Sequence, residues 1–480
     1  MNADKLSGLK PESVFYWFEQ ICAVPHGSGN TRAISDFLVK FAQERELRFI
    51  QDEADNVTIF APGTGEQADH PAVILQGHMD MVCDKEVSCS LNMALDPIDL
   101  AHDDRYVFAR GTTLGGDDGI AVACILALLD DPSIPHPPIE ALITSDEEVG
   151  MLGAAALDMS PLQGRMLINM DSEEEGIFTV SCAGGARVHL QKDITAKPVY
   201  GQCYRIQVSG LRGGHSGAEI HKNRANANKV MAELLAELSS LAPVSLISLN
   251  GGSKDNAIAR TCSATVSIAE VKEDEILLAA QKVRQAVCGK YDEPDAVIHV
   301  TSDDALGGSG LSAEESAQII ALLNELPNGV VRYSKEMPGL VQTSLNLGVV
   351  KLGEHFSATV SVRSSVNAEK EELLEKLRDL SVSYSCSYSR SGEYPAWEYK
   401  KESQLRDTMV RVYREQYGME PEVLAIHAGL ECGLLSDKLP GLDCVSIGPN
   451  MQNVHTSQER LEIASVERTW QFLLAVLKTL

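Results

Sequence analysis

The chain has 480 residues, 44% of them hydrophobic, with 41 Lys and Arg against 68 Asp and Glu, for a formal net charge of −27. That length predicts two to three domains with real cores. So acidic a surface repels phosphate backbones and anionic membranes, which argues against nucleic-acid and membrane partners.

Met1 to Lys10 is polar and lacks the charged start, apolar middle and small-residue end of a signal peptide. No stretch reaches the roughly 18 apolar residues of a membrane-spanning helix, so a cytoplasmic location is expected. The eleven cysteines are an odd number, contain no Cys-x-x-Cys pair and several sit in apolar runs, as Cys124 does. Reduced, mostly buried thiols are therefore expected, and Cys432 is a nucleophile candidate that no other feature supports.

In chain order, Val73-Ile74-Leu75 reads as a buried strand, followed by a helix over Ile120 to Leu129 with an Asp near its N-terminus. Ala141 to Thr144 and Met166 to Asn169 read as further buried strands. Strands alternating with helices predict an α/β fold with a mainly parallel sheet flanked by helices. From Arg187 the pattern changes: alternating strands at Tyr204 to Val208, Ala264 to Ile268 and Ser357 to Val362, with a long helix from Asn226 to Leu238, predict an inserted α+β lid domain. After Tyr394-Pro395 a helix (Ser403 to Tyr417), a strand (Cys444 to Ile447) and a final helix (Ala464 to Leu480) return to the first domain. The expected division is a discontinuous catalytic domain, 1–186 and 395–480, interrupted by a lid, 187–394.

Metal-compatible side chains fall at the ends of these strands. His78 follows the first, Glu147 and Glu148 the second, Asp171 the third, and the strand ending at Ile447 leads to His455. Asp117 lies where a loop enters the buried helix. In an open parallel sheet such points share one edge, where ligands bind. Each of two divalent ions would take one imidazole and one of Glu148 and Asp171, with Asp117 bridging both. Imidazole and carboxylate suit zinc, and also cobalt or manganese. Three carboxylates crowded in a cleft repel one another without cations, and two dications with a hydroxide balance them. Asp80, two residues after His78, is placed to accept the other imidazole proton. Adjacent residues of extended chain point apart, so Glu148 ligates and Glu147 is left as general base. Singly these fragments are unremarkable: Asp-Asp-Gly is a turn and cap, and Glu173-Glu174-Glu175 reads as a solvated run.

Gly-His-Met-Asp-Met-Val (77–82), Arg-Gly-Thr-Thr-Leu-Gly-Gly-Asp-Asp-Gly (110–119), Asp-Glu-Glu-Val-Gly (146–150) and Asn-Met-Asp-Ser-Glu-Glu-Glu-Gly (169–176), with the late His455, resemble the co-catalytic zinc peptidases. That family includes carboxypeptidase G, aminoacylase and carnosinase. Leu-Arg-Gly-Gly-His-Ser-Gly (211–217), Asn-Ala-Ile-Ala-Arg (256–260) and His-Ala-Gly-Leu-Glu-Cys-Gly (427–433) extend the match over nearly the whole chain. The resemblance implies His78, Asp117, Glu148, Asp171 and His455 as ligands of two metal ions. It implies Glu147 as base and Asp80 as companion to His78. It adds His215 as a donor to the oxyanion, Arg363 as the grip on a substrate carboxylate, with Asn256 assisting. The implied activity is hydrolysis of dipeptides, Xaa-His and others, by a possible homodimer. An N-acyl amino acid deacylase, a carboxypeptidase, or a non-catalytic metal- or peptide-binding protein on the same fold are the rival readings. Asp118 stands where the dipeptidase branch often has Asn. His26, His221 and His427 have no assigned role beyond local hydrogen bonds.

Overall fold

The computed structural model describes residues 5–269, 271–302 and 308–480. The start of the polar opening stretch, residues 1–4, lies outside them. The described chain forms two compact units. The first comprises 1–181, 399–425 and 430–480, the second 182–398 and 426–429.

The first unit is built on an eight-stranded sheet. In spatial order its strands are Arg48–Gln51, Val57–Ala61, Ile139–Thr144, Val73–His78, Met166–Asn169, Asp443–Ser446, Ile177–Cys182 and Glu422–Ile426. The centre is parallel: Val73–His78 pairs in parallel with Ile139–Thr144 and Met166–Asn169, and Asp443–Ser446 with Met166–Asn169. The Arg48–Gln51 and Val57–Ala61 strands join antiparallel at one side. Central strands buried on both faces explain the unbroken apolar runs Val73 to Leu75 and Ala141 to Ile143. The chain leaves Val73–His78 for a neighbour on one side and later adds one on the other, which opens a crevice at the strands' C-terminal ends. The helix Gly116–Asp130 is buried nearly all round.

In the second unit a nine-stranded sheet is paired antiparallel along its described registers. Helix Ala227–Leu241 packs its Met231, Leu234 and Leu235 into a core with Val188, Ile206 and Val360. Among the described residues no helix is long and apolar enough to cross a membrane.

Candidate functional site

The strand expected at Val73–Leu75 runs on to His78, so this imidazole is the strand's last side chain rather than the first of a loop. Gly77 beside it admits Asp118, whose Oδ2 would lie 2.6 Å from any Cβ there. That carboxyl accepts the His78 backbone N–H at 3.1 Å and is fully buried. Burial, reinforced by Asp171, holds Asp118 well above the usual carboxylate range. The residue where the resemblance departs therefore anchors the strand end that carries His78.

Asp117 joins the two imidazoles. His78 Nε2 lies 3.1 Å from Asp117 Oδ1, and His455 Nε2 lies 3.1 Å from Asp117 Oδ2. On the His78 side Asp171 Oδ1 approaches Nε2 at 3.7 Å, and on the other Glu148 Oε1 approaches His455 Nε2 at 2.7 Å. The donors thus divide into His78 with Asp171 and His455 with Glu148, and Asp117 is common to both. His455 sits at φ +64 and Asp146, just before Glu147, at φ +51. Non-glycine residues in this left-handed region are uncommon and gather at functional sites.

Charge in this nest is far from ordinary. The Asp117 and Glu148 carboxylates beside it push His455 up to about 11. Burial works against a charged His78, yet Asp117, Asp171 and Asp80 outweigh it and hold its pKa well above the usual value. Burial and the neighbouring carboxylates raise Asp171 to about 6 against the pull of His78. Burial likewise lifts Glu147 well above the carboxylate range. Glu148 Oε1 is buried without a hydrogen-bond partner, as is Asp118 Oδ1, since the close approach of His455 lacks hydrogen-bond geometry. Buried carboxylate oxygens short of donors, facing two imidazoles, make a donor set that fits divalent cations of the zinc type.

Asp80 meets His78 through both main chain and side chain: His78 Nδ1 is 3.0 Å from the Asp80 main-chain carbonyl and 3.4 Å from its carboxylate. The carboxylate also accepts the Glu147 backbone N–H at 3.0 Å, the Glu148 N–H at 3.4 Å and the Ser28 hydroxyl at 2.8 Å. One residue so fixes the His78 tautomer and the bend that presents both glutamates. A further network lies beneath. Gln76 and Thr144 each donate to Glu431 Oε2 at 2.6 Å, and Asn169 donates to Gln76 Oε1 at 2.6 Å. These polar residues tie three strand ends together, and burial raises Glu431 to about 7. Glu431 lies in His-Ala-Gly-Leu-Glu-Cys-Gly (427–433), where nothing in its spacing marks it. The acidic run at 173–175 is not uniformly solvated, since Glu175 takes two 2.6 Å bonds from Arg468.

Within the second unit, His215 pairs with Ala257 in a short antiparallel ladder next to Asn256, whose carbonyl accepts the Ser216 N–H. His215 Nδ1 accepts from the backbone N–H groups of Gly217 at 3.2 Å and Ala218 at 3.0 Å. Burial and Arg363 lower its pKa, so the ring is neutral with its proton on Nε2. Arg363 lies on strand His355–Ser364. Its Nη1 donates to the Tyr394 hydroxyl at 3.1 Å, while its Nε is buried with no partner. His427, left without a role by its sequence, bonds the Ser344 hydroxyl at 2.7 Å. Burial and Arg363 bring it down to about 3, so it adds no charge beside the guanidinium. His26 bonds the Val24 carbonyl and His221 is exposed.

The family described as Peptidase family M20/M25/M40 matches residues 74–479. The cytosol non-specific dipeptidase of Escherichia coli (strain K12) is 35% identical over 480 residues, covering 99% of each chain. The aminoacylhistidine dipeptidase from Vibrio alginolyticus superposes with a TM-score of 0.92 at 34% identity, covering 99% of this chain and 98% of that one. The aminopeptidase PepT from Bacillus cereus shares the fold, with a TM-score of 0.57 at 15% identity over 98% of both chains.

Proposed function

The chain belongs to peptidase family M20/M25/M40, and from that premise we propose that it hydrolyses dipeptides, Xaa-His among them, at a centre of two divalent metal ions. The observation that carries this reading is Asp117, whose two oxygens each meet a different imidazole. His78 and Asp171 would hold one ion, His455 and Glu148 the other, with Asp117 shared. The ions, zinc before cobalt or manganese, would supply an acidified water and a polarised peptide carbonyl.

The protein's own groups do the rest. Glu147 accepts the proton of the attacking water and passes it to the leaving nitrogen. Asp80 fixes the Glu147 backbone while Glu431, through Gln76 and Thr144, steadies the strand ends. His215 is proposed to donate its Nε2–H to the developing oxyanion, which the tautomer fixed by Gly217 and Ala218 favours. Arg363, with most of its donors uncommitted, is proposed to read the free C-terminal carboxylate, with Asn256 assisting. Dipeptides, N-acyl amino acids and the last residue of longer chains all present that carboxylate, and the names of the relatives support the dipeptide reading among them. Dipeptide substrates and a cytoplasmic setting accord with the E. coli relative's name, and a homodimer remains part of the proposal.

Removal of metal with a chelator should abolish hydrolysis of dipeptides, and zinc or cobalt should restore it. Hydrolysis that survives complete chelation contradicts the metal reading. A panel of dipeptides, longer peptides and N-acyl amino acids compared by kcat/KM separates the peptidase from its rivals. His215→Ala should lower kcat by about 10²–10³-fold, the effect of a lost oxyanion donor. An unchanged kcat would remove His215 from the chemistry.

A further inference from the structure

The loop that delivers Asp117 is not capped by its own aspartates. Neither Asp117 nor Asp118 has helical φ and ψ, and no side chain from the helix's N-cap position bonds its first turn. A carboxylate from the far end of the chain takes that place. Glu459 Oε2 accepts the backbone N–H groups of Leu114 at 2.8 Å and Gly115 at 3.1 Å, and Oε1 accepts those of Gly116 at 2.8 Å and Asp117 at 3.3 Å. Gly115 stands at φ +72, a turn that lets successive N–H groups converge on one anion. Glu459 is 3% exposed.

The same residue closes the loop that carries the other ligand. Its N–H donates to the Thr456 carbonyl at 3.1 Å, and Arg460–Glu462 then pairs antiparallel with Met451–Gln452 and Tyr106–Ala109. His455 therefore rides on a short loop held at both ends, with Glu459 at its closing turn. Through one side chain, the segment bearing His455 grips the segment bearing Asp117.

We propose that Glu459 is a positioning residue for the metal centre: its carboxylate clamps the Asp117 loop to the His455 loop, so that the shared carboxylate and the second imidazole keep the separation that the His455–Glu148 ion needs. This rests on the two-metal reading above. Burying a carboxylate is costly unless it is fully hydrogen-bonded, and four main-chain donors meet that need. The clamp touches neither substrate nor ion. It acts through Asp117 and His455, as outer partners of metal ligands do.

The test is Glu459→Gln in the full chain. An amide has the same size but offers one acceptor, and its NH₂ would face two of the four backbone donors. Zinc alone, titrated against a chromophoric chelator at a temperature where the protein stays folded, gives the two dissociation constants. The weaker should rise about 10–100-fold, and the visible spectrum of the cobalt-loaded variant should differ from the parent's. If both constants stay within about two-fold of the parent, the clamp role is wrong, even where the metal-free melting temperature falls; Glu459 is then only a staple of the fold. Should the Gln variant not fold, Glu459→Asp keeps the charge with a shorter reach. It should still weaken zinc by about five-fold or more, and parent-like binding overturns the proposal. A parent that fails to bind two zinc ions refutes the two-metal reading instead, so the two failures are distinct.

Discussion

Glu147→Gln should lower kcat by about 10²–10⁴-fold with both metal ions still bound, the loss expected when a general base is removed. That corresponds to about 2.7–5.5 kcal/mol of transition-state stabilisation. The substitution keeps the side chain's size and leaves the bend intact, because the bend is fixed through the backbone: Asp80 receives the Glu147 and Glu148 N–H groups whatever the side chain is. Glu147 nevertheless lies within ligand reach of His78 and Glu148, so the metal content of the variant decides between base and ligand. Metal analysis together with steady-state kinetics on a dipeptide checks it. Near-parental turnover, or loss of one ion, would each contradict the assignment of Glu147 as base.

Asp117→Ala should have the larger effect, loss of the paired centre and a fall in kcat of at least about 10³-fold. Two dications about 4 Å apart repel by about 17 kcal/mol at an effective dielectric of 20. The anion between them is what makes joint occupancy tenable. On the proposed reading that anion is the Asp117 carboxylate, whose two oxygens reach His78 and His455 separately. Asp171 and Glu148 each approach one imidazole, and neither can replace the bridge. Stoichiometry should fall from two ions to one or none, measured by elemental analysis after dialysis against metal-free buffer. Two retained ions would show that Asp117 is not the bridge. Alanine also leaves the two imidazoles in an acidic nest without the carboxylate that each of them meets at 3.1 Å. Both should then titrate lower than in the parent, which histidine NMR resonances would show.

The central sheet and its candidate ligands are legible because they obey simple patterns. Val73 to Leu75 and Ala141 to Ile143 are unbroken apolar runs, which strands buried on both faces require. His78 ends its strand and Glu148 and Asp171 lie a few residues past theirs, so strand-end logic marks them as candidate ligands. The strand ends proved harder. Gln76 and Asn169 interrupt the apolar pattern, yet both are fully buried and bonded to each other across neighbouring strands. A polar residue that finds its partner 93 positions away carries no local mark. Glu459 shows the same limit. Nothing in Ser-Gln-Glu-Arg marks it, and its 3% exposure follows from four donors that lie more than 300 residues earlier. The aspartates before the buried helix suggested a local cap, and the cap is remote because Asp117 is turned toward the imidazoles instead. His427 sits in 426–429, a short return to the second unit with no change in composition to announce it.

The most direct test of the two-metal account is to locate the ions in a crystal of the zinc-loaded protein by anomalous scattering at the zinc edge. Two peaks per chain are predicted, one contacted by His78 and Asp171, the other by His455 and Glu148, with the Asp117 carboxylate between them. A single peak, or peaks away from Asp117, would contradict it.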